Sequence, residues 1–138
     1  MEAEEAARRA RRKAVVIEHM QSENVQDWDR TMRTFSAPRY ELPDGRVFDG
    51  GDDVLRYWVE GRTVFPDQRN ELIDLTHADD GSVVIEFWLR GTHLGGDAPT
   101  GEVFEVRLWA AFAFDDDDLM TCERVFTSAP TAEQVAGR

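Results

Sequence analysis

The side chains best equipped for chemistry fall in the second half of the chain. His93 titrates near neutrality and ends an extended run, where it could act as an acid or base or orient a ligand carbonyl; alternatively it closes the strand end by bonding a loop carbonyl. Glu105, Arg107 and Arg124 share one parity of a predicted strand pair. An arginine beside a carboxylate can stabilise an enolate or hold a carboxylate ligand, and the same groups can equally form ion pairs at a pocket rim or a dimer contact. Trp28 and Trp109 could stack on a planar ligand or pack in a core, and Tyr40 could donate its hydroxyl to a ligand or anchor a hairpin. Cys122 has no base beside it and reads as a small buried hydrophobe rather than a nucleophile. His19 and His77 read as isolated from any acid at ligand spacing. Asp115 to Asp118 lacks the glycine and terminal glutamate of a calcium loop and reads as a solvated turn. With no phosphate loop, GxSxG elbow, HExxH or zinc-spaced Cys/His cluster, neither a metal nor a cofactor is expected.

A hairpin positions these groups: Val103 to Phe114 and Leu119 to Phe126, joined by four aspartates. Both arms are rich in aromatic and β-branched residues, and the polar loop has the length that joins antiparallel neighbours. Setting Phe114 opposite Leu119 pairs Phe112 with Thr121, Ala110 with Glu123 and Leu108 with Val125 on one face. The other face pairs Ala113 with Met120, Ala111 with Cys122, Trp109 with Arg124 and Arg107 with Phe126. The first face is apolar; the second mixes small, aromatic and charged side chains and reads as a pocket lining. The expected site is therefore His93, Glu105, Arg107 and Arg124 as chemical groups, with Trp28, Tyr40, Trp109, Met120, Cys122 and Phe126 around a ligand.

The rest of the chain covers the hairpin. Residues up to about 35 read as helix, with Ile17, Met20, Asn24, Trp28, Met32 and Phe35 on one stripe, a break near Ser22 to Asn24, and Asp27 capping a second segment. Arg39 to Leu42 and Arg46 to Phe48 form a short hairpin. Asp52 or Asp53 caps a helix from Val54 to about Glu60, buried through Leu55, Trp58 and Val59. Glu71 to His77 and Ser82 to His93 read as two strands around an Asp-Asp-Gly turn. The order predicts one α+β domain over residues 1–138, with helices laid on a curved, mainly antiparallel sheet. Residues 1–14 form a helical extension and 129–138 a polar tail.

A chain of 138 residues buries roughly two thirds of its unfolded surface, a core that needs no metal or disulfide. Twenty-eight acidic against sixteen basic residues give a formal charge of -12, which repels phosphate backbones and anionic lipid; no nucleic acid or membrane partner is expected. Lys13 is the single lysine, leaving no evident Schiff-base candidate. The charged start lacks a signal-peptide core and the lone Cys122 suits a reducing compartment, so a cytoplasmic location is expected.

Several motifs occur in a familiar order: Phe35-Ser36-Ala37-Pro38-Arg39-Tyr40-Glu41-Leu42, Asp49-Gly50-Gly51, Phe65-Pro66-Asp67, Gly91-Thr92-His93-Leu94-Gly95, Pro99-Thr100-Gly101 and Glu123-Arg124-Val125-Phe126. Through them residues 15–128 resemble SnoaL-like proteins of the nuclear transport factor 2 (NTF2)-like superfamily. The resemblance implies a cone-shaped α+β barrel with a hydrophobic pocket, a homodimer formed through the outer sheet face, and a cofactor-independent enzyme. Its reaction would be that of a cyclase, isomerase, dehydratase or hydrolase on a hydrophobic oxygenated metabolite of secondary metabolism. In the cyclases it also implies an acid/base aspartate after the last strand, where this chain carries Phe126, Thr127 and Ser128. A hydroxyl does not replace a carboxylate in proton transfer without a strong neighbouring base. Two readings follow: an enzyme in which His93 and the Glu105, Arg107, Arg124 group take over from that aspartate, or a non-catalytic ligand-binding or protein-assembly module.

Overall fold

A computed structural model of the chain describes residues 2–137. An Ala-, Glu- and Arg-rich segment forms helix α1 (Glu2–Asn24) without interruption, and Gln26, at φ 56°, turns the chain. Asp27 then caps α2 (Trp28–Met32) by accepting the Arg30 N–H at 3.2 Å. A short hairpin, β1 (Arg39–Glu41) and β2 (Val47–Asp49), leads into α3 (Gly51–Val64). Four strands follow: β3 (Arg69–His77), β4 (Val83–Thr92), β5 (Val103–Phe114) and β6 (Met120–Phe126). Thr131 caps a last short helix, α4 (Ala132–Val135), in a reciprocal capping box with Gln134.

The six strands form one sheet in the order β2-β1-β6-β5-β4-β3. All pairs are antiparallel except β1 with β6, so the two edge strands leave the sheet open, curved around α1 and α3. Its concave face meets the helices in a core of Val16, Met20, Phe35, Tyr40, Val54, Trp58, Val83, Ile85, Phe87, Ala110, Phe112 and Met120. The α+β architecture, helices on a curved and mainly antiparallel sheet, is as the sequence predicts. Gly95 lets the β4–β5 loop lie against the end of α3. A Cβ there would sit 1.8 Å from the Thr63 carbonyl oxygen, and the Gly95 N–H bonds Val64 O at 3.1 Å.

Several local expectations are corrected. The β5–β6 hairpin slides by two residues, pairing Phe112 with Glu123 and Ala110 with Val125, and a bulge follows Ala113. An even shift keeps each face's membership up to the bulge, beyond which Met120 joins the core face, but the faces are reversed relative to the core. Leu108, Ala110 and Phe112 point at the helices, while Glu105, Arg107, Trp109, Cys122 and Arg124 lie on the opposite face. The charged groups pair across strands there at little desolvation cost, Arg107 with Glu86 at 2.6 Å and Arg90 with Glu105 at 2.7 Å. Helix α3 starts at Gly51 and buries Val54, Trp58 and Arg62 at i, i+4 and i+8; Leu55 and Val59 are exposed. On α1 the buried stripe is Arg12, Val16, His19, Met20 and Ser22, with Asn24 exposed. Asp118 is buried, not solvated: its carboxylate takes Arg11 Nε at 2.6 Å and Arg12 Nε at 2.8 Å, while Arg12 also donates to Gly81 O and Asp115 O.

Candidate functional site

Between α1, α3 and the concave sheet face lies a cavity of about 230 Å³. Its apolar wall is Ile85, Phe87 and Leu89 of β4, Leu108 and Phe112 of β5, and Val125. Alternation places these side chains on one face, since residues two apart on a strand point the same way. Into this wall the chain brings one histidine and two glutamates. His19 and Glu23 are one turn apart on α1 and so share a face; Glu123 projects from β6 on the parity of Val125 and lies beside Tyr40 in the parallel β1–β6 pairing. His19 Nε2 is 2.7 Å from Glu23 Oε1 and 3.0 Å from Glu123 Oε1.

The hydrogen-bond chain assigns the protons. Thr34 spends its one O–H on Thr31 O at 2.6 Å, so its oxygen accepts from His19 Nδ1 at 3.1 Å. Nδ1 therefore carries a proton, and a neutral ring would turn the bare Nε2 lone pair toward two carboxylates. Protonating Nε2 removes that conflict and makes an imidazolium bridging two acids. Burial works against this charge, but the carboxylates of Glu23 and Glu123 outweigh it and raise the His19 pKa to about 10. The Glu123 pKa is raised as well: desolvation holds its carboxyl above the ordinary range, opposed by the hydrogen bond and charge of His19. Tyr40 completes the group. Its oxygen accepts Trp58 Nε1–H at 3.0 Å and lies 3.0 Å from His19 Nε2, and its hydroxyl also bonds Glu123. Burial, first, and the two carboxylates keep the Tyr40 phenol protonated far above neutrality.

Glu123 Oε1 is buried yet makes no well-aligned hydrogen bond within the protein. Apart from the His19 contact it faces an apolar cavity, the environment that raises an acid's pKa and suits it to proton transfer. The His19, Glu23 and Glu123 ligand atoms lie within 4.8 Å of one another. A divalent cation could use the same three, in competition with the proton on Nε2.

The sequence-predicted residues distribute differently. Tyr40 lines the cavity; His93, Glu105, Arg107 and Arg124 do not. His93 Nδ1 bonds Thr100 Oγ1 at 3.0 Å at the root of the β4–β5 loop. Arg124 holds Glu41 at 3.1 Å on the outer face and donates to Val135 O of α4 at 3.5 Å. Cys122 contacts Glu41 there at 3.6 Å, and burial pushes its thiol up to about 12. Trp109 lies opposite Phe126 under Arg107 on that same face, Met120 is core, and Trp28 stacks on Trp58 with ring centroids 5.4 Å apart. His19, Glu23 and Glu123 went unassigned in the sequence. Two signals could have found them: the i, i+4 spacing of His19 and Glu23, and a glutamate placed on the otherwise apolar face of the hairpin.

Residues 16–122 match the SnoaL-like domain family. No curated protein sequence matches the chain. Among solved structures, a phenazine biosynthesis-related protein from Pseudomonas aeruginosa superimposes with a TM-score of 0.76 at 20% identity, over 93% of this chain and 86% of that one. The epoxide hydrolase/cyclase-like enzyme SalBIII, described for pyran ring formation in the polyether salinomycin, gives 0.74 at 21% identity over 85% and 90%. TerC, crystallised with polyporic acid, gives 0.73 at 12% identity over 86% and 92%. Likenesses at these identities establish the fold, and the domain match covers most of the chain. The open sheet curved over a cavity and the matched domain together identify the chain as a SnoaL-like protein of the NTF2-like superfamily.

Proposed function

We propose that the protein is a cofactor-independent acid/base enzyme of SnoaL-like type that moves a proton on a small, apolar, oxygenated metabolite. The observation that carries this reading is Glu123: a buried carboxylate facing an apolar cavity, poised by an imidazolium and a tyrosine hydroxyl. Glu123 as carboxylate takes a proton from the substrate, as carboxylic acid it returns one, and His19 absorbs the change in charge without itself titrating near neutrality. Glu23 holds the imidazolium from its other side. This supports cyclisation, isomerisation, dehydration or hydrolysis, each of which needs one proton delivered to or removed from a defined atom. SalBIII's description as an epoxide hydrolase/cyclase-like enzyme and TerC's complex with polyporic acid fit a ligand of this kind. The size fits too: a cavity of roughly 150 Å³ takes benzene, so 230 Å³ suits one substituted ring or a bicycle.

Deuterium wash-in tests the reading. Small cyclic ketones and β-keto esters in D₂O should exchange their α-protons in the presence of the protein, followed by ¹H NMR, and Glu123→Gln should abolish the excess rate. Exchange that is equal with and without protein, or unchanged in the variant, would refute it. Within the same proposal the enzyme acts in the cytoplasm, in secondary metabolism, as a homodimer through the outer sheet face. That face carries Trp109 beneath Arg107. Sedimentation should give a dimer, and Trp109→Glu a monomer.

A further inference from the structure

Among the described residues, two buried side-chain atoms lack a polar partner within the protein, Arg62 Nε and Asn70 Oδ1, while Glu123 Oε1 makes no well-aligned hydrogen bond and has only the charged His19 Nε2 at 3.0 Å. All three belong to residues that line the cavity described above. Buried polar groups are almost always partnered, because an orphaned donor or acceptor keeps its full desolvation cost. Under-partnered atoms converging on one space therefore describe the polar complement of whatever fills it.

Arg62 is the informative one. It lies one turn beyond Trp58 on α3 and is 8% exposed. Its guanidinium packs over the Trp28 ring, with the central carbon 5.4 Å from the ring centroid. Of its five N–H donors, one Nη group reaches the Glu23 carbonyl oxygen in the last turn of α1, at a long 3.4 Å. Among the described residues no carboxylate pairs with it. A buried guanidinium without a counter-ion is costly unless an anion arrives with the ligand. Its stacking on Trp28 holds the planar fork in a fixed orientation, which favours carboxylate-like oxygens over a diffuse charge. Asn70 adds adaptability. Asn24 clamps its backbone, with Asn24 Oδ1 accepting the Asn70 N–H at 2.8 Å and Asn24 Nδ2 donating to Asn70 O at 2.9 Å. The Asn70 side-chain amide is thereby free to offer the cavity a donor or an acceptor.

We infer that Arg62 is an anion-anchoring residue of the cavity and that the ligand is a small cyclic acid, bearing a carboxylate or an ionised enol that Arg62 holds while a hydroxyl or acidic C–H faces Glu123. The inference rests on the proton-transfer reading for the role of Glu123, but the anchor itself does not. It deepens that reading by setting a charge requirement on the substrate.

Isothermal titration with a matched pair of probes tests it: salicylate, which offers a carboxylate beside a hydroxyl, and salicylamide, its neutral isostere. The wild-type protein should bind salicylate at least tenfold more tightly than salicylamide, a comparison that needs no variant. Arg62→Met should remove that preference, and Arg62→Lys should restore part of it. Equal affinity for the two probes, or a preference that survives in Arg62→Met, overturns the anchor, because an arginine that only packs on Trp28 has no reason to discriminate between them. Salicylate selectivity without any Glu123-dependent deuterium exchange leaves the anchor standing and removes the proton-transfer reading. Exchange on neutral ketones with no selectivity for salicylate does the reverse.

Discussion

Replacing Glu123 by Gln removes one of the two carboxylates that hold the His19 proton, and its effect can be worked from the geometry. The His19 pKa stands at about 10 in the folded protein against 6.5 for an ordinary histidine. At about 1.36 kcal/mol per pH unit that gap corresponds to roughly 5 kcal/mol of stability. Because the folded value is the higher one, this contribution is present in full below pH 6.5 and is lost as pH rises through about 10. Glu123, also held above its ordinary value by burial, adds a loss of the same sign at lower pH, where it ionises. The two carboxylates lie at similar distances, 2.7 and 3.0 Å, and together they overcome the burial that opposes the charge, so neutralising one should take more than half of the net effect. In Glu123→Gln the His19 midpoint should therefore fall below about 8, and the alkaline loss of stability should shrink to less than roughly 2 kcal/mol. Histidine Cε1–H resonances, assigned with single His→Gln variants, report the midpoint; urea denaturation at a series of pH values reports the stability. A wild-type His19 that titrates near 6.5, or a midpoint that Glu123→Gln leaves in place, would refute the bridged imidazolium.

Tyr40→Phe deprives Trp58 Nε1 of its acceptor and Glu123 of a donor, and should cost about 1–3 kcal/mol in chemical denaturation. Asp118→Ala leaves the buried Arg12 without its carboxylate and should destabilise by about 3–5 kcal/mol, with Asp118→Asn milder; a loss below 1 kcal/mol would mean that water reaches the pair. Cys122, with a thiol pKa near 12 raised chiefly by burial, should resist alkylation at pH 8 in the native protein and react promptly in urea.

Strand periodicity and turn chemistry made β5 legible to the residue and β3, β4 and β6 to within two. The hairpin's two faces were also separable by parity alone. What parity does not say is which face the helices cover. A face carrying Glu105, Arg107 and Arg124 resembles a polar pocket as readily as a solvated surface, and only the partners Glu86, Arg90 and Glu41, contributed by other strands, reveal the second. Glu123 was visible as a lone acid among Leu108, Ala110, Phe112 and Val125, yet its meaning depends on His19, more than a hundred residues away. Arg62 was hidden for a different reason. The helix was expected to end at about Glu60, which left Arg62 outside it, whereas α3 runs on to Val64 and buries Arg62 one turn beyond Trp58.

The contacts of α1 set an order on how the chain can acquire its structure. Arg12 is held by Asp118 and His19 by Glu123, partners separated by over a hundred residues. During synthesis α1 leaves the ribosome before the β5–β6 hairpin, with Arg8, Arg9, Arg11, Arg12 and Lys13 in sequence and no counter-charge from that hairpin yet made. Closing loops of that length before any reward places the decisive step late and makes it slow compared with helix or hairpin formation. Truncations that stop short of β6 should therefore yield a helical but uncollapsed chain, and the ion pairs at Asp118 and Glu123 would act as a check that the β5–β6 hairpin is present before the cavity closes.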